Sequence, residues 1–294
     1  MMKILNLIMC IVLLGITSCS DESINEPIGN PAPEEANLVI KFKFDPNQIR
    51  LNNLGQPATI PNGNAAQSPS FARMSSHYIE LAPTTNTLLG QGAIIYEGPT
   101  TTQGGEEAID FQEAKFAGNN ETFLTIPLSQ VATGNYNWVR VSLAYQEGAI
   151  NFLAADGNEY SGTLASFVGY NTYVPTLNFN GASFPINENK LQGFWAFEAL
   201  GFTSQGQAPP GATTVPNPLF NSSPIPQGSC VVTGEFENGL TITGTETEDV
   251  VVTLSFSVNN SFEWTEINTD GKYEPQAGET LVDMGLRGLI PIVE

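Results

Sequence analysis

Oxygen-bearing side chains stand at alternating positions within residues 266–279, a spacing that can bind a hard cation. The segment reads Glu-Ile-Asn-Thr-Asp-Gly-Lys-Tyr-Glu-Pro-Gln-Ala-Gly-Glu, so alternate side chains from Glu266 to Asp270 can converge on one ion. Calcium accepts about six to eight oxygen ligands, and Gly271 permits the sharp turn that wraps a chain around it. Because Asn, Asp and Gly also favour β-turns, a simple turn is the alternative interpretation.

The segment resembles the first half of the calcium loop of EF-hand and dockerin proteins. The ligand positions implied by this resemblance are Glu266, Asn268, Asp270, Lys272, Glu274 and, two residues late, Glu279. Lys272 would offer only its backbone carbonyl, and Glu274 would act through water. Ala277 stands where those loops place a bidentate Glu, so Glu279 serves only if residues 275–278 loop outward. The expected cofactor is a structural calcium ion, with a dissociation constant of about 10⁻⁴ to 10⁻³ M.

Catalytic chemistry is not expected from this sequence. Its single histidine is His77, whereas zinc and copper sites normally use several His or Cys ligands. The motifs HExxH, GxSxG and CxxC are absent. A Ser-His-Asp arrangement is recognised by geometry, and a carboxylate pair can serve a glycosidase, so both stay open as alternatives. We therefore expect a protein that is not an enzyme, with His77 in a structural role.

Aromatic residues alternate between both faces of one predicted strand at residues 194–197, which read Phe-Trp-Ala-Phe. Packing against apolar layers on both faces is the favoured interpretation. The alternative is that the ring of Trp195 is exposed and stacks on a sugar or on a partner protein. Trp195 is therefore the candidate ligand-binding residue.

Apolar and polar residues alternate with a period of two along most of the chain, which predicts strands with one face on a core. The clearest examples are residues 38–44, 139–145 and 252–258. Asn-Gly at 238–239 and Asp-Gly at 156–157 predict tight hairpins. Only residues 106–115 suggest a turn of helix. We expect an all-β fold, an antiparallel β-sandwich of roughly a dozen strands with long Pro/Gly-rich loops.

Two segments interrupt the strand pattern. Residues 52–70 are rich in Asn, Gly, Pro and Ala and predict a long surface loop. Residues 204–229 contain six prolines, which cannot donate to a β-ladder. An ordered Pro-rich arm across the sandwich is favoured there, with a disordered insertion as the alternative. We expect one β-sandwich domain over residues 37–294.

The N-terminus has the layout of a secretory signal peptide over residues 1–18. Lys3 precedes an apolar stretch at residues 4–16, which is too short for a membrane-spanning helix of about 20 residues. Residues 16–19, Ile-Thr-Ser-Cys, resemble the lipobox of bacterial lipoproteins. The resemblance implies cleavage before Cys19 and attachment of lipid, palmitate included, to that cysteine.

Residues 19–36 follow as a segment rich in Asp, Glu, Asn, Pro and Gly, which predicts a flexible linker. Its start, Ser-Asp-Glu after Cys19, resembles the acidic export tag of surface-displayed lipoproteins from Bacteroidota-type bacteria, and ordinary solvated linker is the alternative. The expected location is the outer membrane, lipid-anchored, at the cell surface or on the periplasmic face.

The chain is strongly acidic, with 10 Lys and Arg against 30 Asp and Glu and a net charge of −20. Nucleic-acid binding needs clustered cationic side chains, so no nucleic-acid partner is expected. An anionic bilayer would repel the domain, which favours a lipid anchor over electrostatic adsorption. Of the three cysteines, Cys10 would leave with the signal and Cys19 would carry lipid, so Cys230 is expected to be a small buried apolar residue.

The order of residues 38–44, 76–81, 134–141 and 194–197 resembles the periplasmic β-sandwich copper proteins associated with methanobactin uptake, the MbnP-like family. Copper chemistry in that family relies on histidine and an oxidised tryptophan. Trp195 is the one tryptophan that we compare, and no copper ligand transfers to this chain.

These features together predict a membrane-anchored lipoprotein that acts as a non-enzymatic binding or accessory subunit of an outer-membrane protein assembly. A metal-handling β-sandwich protein that binds copper is one alternative. The other is a glycan-binding or glycan-processing lipoprotein, with Trp195 or the Pro-rich arm lining its site.

Overall fold

The computed structural model describes residues 35–52, 55–208, 224, 229–286 and 288–294, and Glu35–Glu294 form one compact unit. Eighteen strands and two short 3-10 turns, Leu128–Gln130 and Pro275–Ala277, make up the regular structure of these residues. The all-β prediction is therefore confirmed. Across the described part of the chain, no helix is both long and apolar enough to traverse a bilayer. The predicted lipidation site Cys19 lies outside the described residues.

The strands, in chain order, are β1 (Asn37–Asp45), β2 (Asn64–Gln67), β3 (Ser70–Ala82), β4 (Ala93–Glu97), β5 (Thr100–Thr101), β6 (Ala108–Asp110), β7 (Glu121–Pro127), β8 (Gly134–Leu153), β9 (Glu159–Phe167), β10 (Asn171–Phe179), β11 (Ala182–Leu191), β12 (Phe194–Ala199), β13 (Phe202–Gln207), β14 (Cys230–Ile242), β15 (Val250–Ser257), β16 (Phe262–Thr265), β17 (Leu281–Met284) and β18 (Leu289–Val293).

These strands form four sheets. The largest has seven strands in the order β13-β12-β9-β8-β3-β4, with β14 also paired to β8. The others have the orders β18-β15-β1-β7, β11-β10-β6-β5 and β17-β16-β2. Pairing is antiparallel except between β1 and β15 and between β6 and β10. The predicted antiparallel sandwich is thus confirmed, with two parallel pairs that local sequence patterns do not reveal.

The main core lies between the β18-β15-β1-β7 sheet and the part of the seven-stranded sheet formed by β3, β14 and the first half of β8. Strand β1 alternates strictly between partly buried and buried positions, as its period of two predicts. Phe42 of that strand stacks on Phe123 with ring centroids 4.3 Å apart. Cys230 is buried in the same core, at the first residue of β14, where the sequence predicts a small apolar side chain.

Strand β8 is 20 residues long and extends past the main core to support the candidate site. Its second half pairs with β9, and β9 pairs with β12. Strand β12 therefore lies between two smaller layers. Phe194 and Ala196 pack in a second core with β10, whereas Trp195 and Phe197 face the β17-β16-β2 sheet.

One predicted hairpin is wrong. Residues 230–242 form the single strand β14, and both of its halves pair antiparallel with β8. The Asn-Gly pair lies in a register shift between Glu235 and Leu240, and Gly239 has a φ of +73°. A bulge and a tight turn both need positive φ, so the dipeptide alone cannot separate them. The predicted hairpin at residues 156–157 does join β8 to β9.

Three predicted segments differ from the structure in type or in boundary. Residues 64–67, predicted as loop, form β2 and pair with β16. Residues 204–207 of the predicted Pro-rich segment belong to β13, because the prolines begin only at residue 209. Most of that segment, including the predicted arm, lies outside the described residues. The predicted helical turn at 106–115 is instead the short strand β6 followed by a turn.

Candidate functional site

An apolar cleft of about 460 Å³ lies between the face formed by β8, β9 and β12 and the layer formed by β16 and β17. Its aromatic lining consists of Phe152, Trp195, Phe197, Phe262 and Tyr273. Ile150, Leu164 and Leu281 add aliphatic surface, and Ser204, Gln207 and Thr280 supply polar groups. Small-molecule sites in proteins are commonly clefts of about 300–1,000 Å³ with this mixture of apolar walls and few polar groups.

Two side chains of β12 form the floor of the cleft. Phe197 packs edge-on against Phe152 of β8, with ring centroids 5.6 Å apart. Trp195 is partly buried, and its indole lies over the backbone of Gly206 on the neighbouring strand β13. A Cβ atom at Gly206 would come within 2.7 Å of that ring, so only glycine leaves the space that the indole occupies.

The opposite wall is built on a buried aromatic cluster. Tyr273 packs against Phe262 at 5.1 Å and against Trp264 at 5.5 Å between ring centroids. Trp264 is fully buried, and its indole N–H donates to Glu266 Oε2 at 2.8 Å. Burial, with the nearby charge of Glu279, raises the pKa of Tyr273, so its hydroxyl stays protonated at neutral pH. This wall presents an aromatic face to Trp195 and Phe197.

Two predicted calcium ligands bind backbone N–H groups of their own segment. Glu266 Oε1 accepts from the amides of Asp270 and Gly271 at 2.8 and 3.0 Å. Glu279 is 4% exposed, and its two oxygens accept from the amides of Ile267 at 3.0 Å and Glu274 at 2.6 Å. These carboxylates close the loop around its own backbone and so hold Tyr273 and Pro275 in the cleft wall.

The other predicted ligands lie on the exposed side of the loop. Asn268 donates to Glu274, and Asp270 Oδ1 accepts from the amide of Lys272 at 2.9 Å. Among the residues that the structure describes, no three His, Cys, Asp or Glu side chains converge to hold a metal ion. Asn oxygens, backbone carbonyls and water also bind calcium, so calcium at this loop stays a prediction.

His77 is placed away from the cleft lining, in β3. It is 6% exposed, and its ring packs edge-on against Tyr170 at 5.6 Å. Within the described ranges its Nδ1 has no hydrogen-bond partner. Burial lowers the pKa of His77 to about 4, which keeps the imidazole neutral at physiological pH. The arrangement is that of a packed core residue, since no acidic side chain in the described part of the chain orients this ring.

A second cleft of about 330 Å³ lies beside Arg73, Phe111 and Phe116. Arg73 Nε donates to Glu147 at 2.8 Å, and Tyr145 donates to the same carboxylate oxygen at 2.8 Å. The guanidinium lies over the ring of Phe116, 4.8 Å from its centroid. The guanidinium of Arg73 is already bound by these neighbours. We therefore take the Trp195 cleft, and not this one, as the candidate ligand site.

Local sequence reasoning identified Trp195 but missed its partners Phe152, Phe197 and Tyr273. These residues are separated by up to 121 positions and meet only because β8, β12 and the 266–279 loop pack together. The nearest local signal was Tyr273 itself, the one aromatic residue in a mostly polar loop. Packing on both faces of β12 is confirmed, yet the cleft leaves part of Trp195 exposed.

No family model, no curated protein and no solved structure matches this chain.

Proposed function

We propose that this chain is a lipid-anchored, non-enzymatic binding protein of the bacterial outer membrane, and that the Trp195 cleft is its ligand site. One observation carries the proposed site. Trp195 and Phe197 line one wall of a cleft of about 460 Å³, and Tyr273 lines the other. The lipobox-like residues 16–19 support the anchor and the location.

The lining of the cleft determines the class of ligand. Eight of the twelve lining residues are aromatic or aliphatic, not counting Pro275, and no side chain among the twelve is charged. Such a site gains free energy mainly from removing apolar surface from water, about 25 cal/mol per Å². The ligand that fits is therefore a planar apolar or aromatic group, oriented by hydrogen bonds from Ser204 or Thr280.

A titration with the neutral fluorescent probe N-phenyl-1-naphthylamine tests the site. We expect saturable binding to the wild-type protein and an affinity reduced about tenfold or more by Trp195→Ala, because an aromatic contact of this size is a typical binding hot spot. Trp195→Phe should keep most of the affinity. Leu88→Ala, at an exposed position outside the cleft lining, is the matched control and should bind as wild type does.

Equal probe affinity in the wild-type protein and Trp195→Ala would refute the proposed site. Since Trp195 is only partly buried, thermal melts of both variants establish that any loss of affinity is not a loss of folding.

Glycan binding is the second candidate, because aromatic rings that line a cleft can also stack on the apolar faces of sugar rings. The relevant observation is the presence of Trp195 and Tyr273 on opposite walls. A glycan array separates the two candidates: oligosaccharide binding that Trp195→Ala abolishes would favour a glycan ligand, and its absence alongside probe binding would favour an apolar one.

Metal content is tested separately, by elemental analysis of the purified protein after dialysis. Stoichiometric copper would support the metal-handling alternative that the MbnP-like resemblance implies. Stoichiometric calcium would support the predicted ion at residues 266–279.

A further inference from the structure

Strand β13 ends one side of the seven-stranded sheet, and in the described part of the chain it pairs only with β12. Its sequence, Phe-Thr-Ser-Gln-Gly-Gln, contains no charge and no proline, and five of its six residues are exposed. The β12–β13 pairing has no bulge. Edge strands normally carry a charged residue, a proline or a bulge, each of which hinders pairing with another chain. Strand β13 thus has the features of an edge that accepts another strand.

The turn that leads into β13 carries exposed apolar side chains on a strained backbone. Leu200 is 63% exposed with a φ of +55°, and Phe202 is 80% exposed. A left-handed conformation costs a residue with a Cβ about 1–2 kcal/mol. Glu198 stabilises the turn by accepting from the amide of Gly201 at 2.9 Å. The two-residue turn that joins β12 to β13 requires this conformation, so it is the exposed apolar side chains that point to a contact surface.

The edge is complementary to itself. Phe202, Ser204 and Gly206 point to the face that carries Trp195, because each is paired with a residue of that face on β12. Gly206 has no side chain, and the indole of Trp195 lies directly over it. A large exposed ring at residue 202 and an indole that covers the glycine at residue 206 are therefore separated by four residues along one face.

We propose that two copies of this chain pair antiparallel through β13, with Ser204 opposite Ser204 of the partner subunit. A two-fold axis perpendicular to the sheet keeps both Trp195 faces on one side, and directly opposed residues then share a face. In this register Phe202 lies opposite Gly206 of the partner subunit. Its ring meets the edge of Trp195 of the partner subunit, and the same contact repeats by symmetry.

Charge predicts how salt affects this dimer. Each copy carries a net charge of −20, so the copies repel each other, whereas the pairing strands are uncharged. Added salt screens the repulsion without weakening the strand contact, so association should strengthen with ionic strength. One short strand pair buries less than a standard interface of about 1,600 Å², so we expect a dissociation constant of about 10–100 µM.

Sedimentation velocity of the full-length protein in mild detergent, at low and high sodium chloride, tests the dimer. We expect a concentration-dependent dimer that salt strengthens, and about tenfold or greater weakening by Phe202→Glu. Leu88→Glu is the matched control, since it places the same charge on another exposed apolar residue away from β13, and it should dimerise as wild type does. A wild-type monomer at all concentrations, or a dimer that Phe202→Glu leaves intact, would overturn the proposal.

Cysteine cross-linking tests the register. Ser204→Cys should form a disulfide-linked dimer readily under mild oxidation, since the two positions face each other at the axis. Thr203→Cys points to the opposite face and lies opposite residue 205, so it should cross-link slowly. The reverse order would contradict this register. Phe202 is not part of the cleft lining of its own subunit, so probe binding by Phe202→Glu, measured at concentrations at which the protein is monomeric, shows separately whether the proposed function holds.

Discussion

At the scale of single residues, His77 shows how burial determines a role. The ring is enclosed, its Nδ1 has no hydrogen-bond partner among the residues that the structure describes, and burial lowers its pKa to about 4. In the unfolded chain the pKa returns to about 6.5, so between these values the unfolded state binds a proton that the folded state does not. Stability from this residue is therefore complete above about pH 6.5 and declines as the pH falls towards about 4.

We predict that His77 contributes about 3 kcal/mol of pH-dependent stability over that window. His77→Phe keeps the packing against Tyr170 and removes the titration, so the variant should lose less stability than wild type between about pH 7 and pH 4.5. Urea unfolding of both proteins at the two pH values measures the difference. Equal losses in both proteins would show that His77 is protonated without penalty.

At the scale of elements, the loop of residues 266–279 acts as a support for the cleft wall. Glu279 accepts two backbone N–H bonds while nearly fully buried. Glu279→Gln replaces one acceptor with an NH₂ group that faces an amide N–H, and an unsatisfied buried donor costs about 1–3 kcal/mol. We predict a loss of that size in unfolding free energy, together with weaker probe binding because Tyr273 and Pro275 lose their support.

Glu274→Gln is the matched control, because its carboxylate lies on the exposed side of the same loop and should tolerate the change. If both variants behave alike, the loop is not held by Glu279. Thermal melts with added calcium belong to the same experiment: a rise in the melting temperature of the wild type would support the predicted ion.

The sequence predicted a strand correctly where one of its faces is buried. It failed where the strand depends on contacts with residues far away along the chain. Residues 38–44 alternate because each second side chain enters the main core, and β1 follows. The Asn-Gly pair at residues 238–239 predicted a hairpin where the structure has a bulge, because both need a residue with positive φ. Strand β2 carries no alternation of its own and forms because β16 offers it an edge. The cleft could not be predicted from the sequence for the same reason, since residues 152, 195 and 273 meet only through the packing of the sheets.

At the scale of the whole molecule, the proposed membrane attachment of so acidic a domain depends on lipid and not on charge, because an anionic bilayer would repel it. We predict that the protein partitions into the detergent phase from bacterial membranes and that Cys19→Ala moves it to the aqueous phase, because acyl chains each contribute about 0.8 kcal/mol per buried CH₂. Cys230→Ala is the control, since Cys230 lies buried in the main core, and it should partition as wild type does. Aqueous partitioning of the wild type would refute the anchor.

The proposed binding site is tested most directly by the indole N–H signals of Trp138, Trp195 and Trp264 in an ¹H–¹⁵N spectrum, assigned by substitution. Titration with N-phenyl-1-naphthylamine should shift the Trp195 signal strongly and saturably. Trp138 should not respond, and Trp264, buried behind Tyr273 with its N–H bound to Glu266, should respond only slightly. A saturable shift of Trp138 with Trp195 unmoved, or no shift at all, would contradict a ligand site in this cleft.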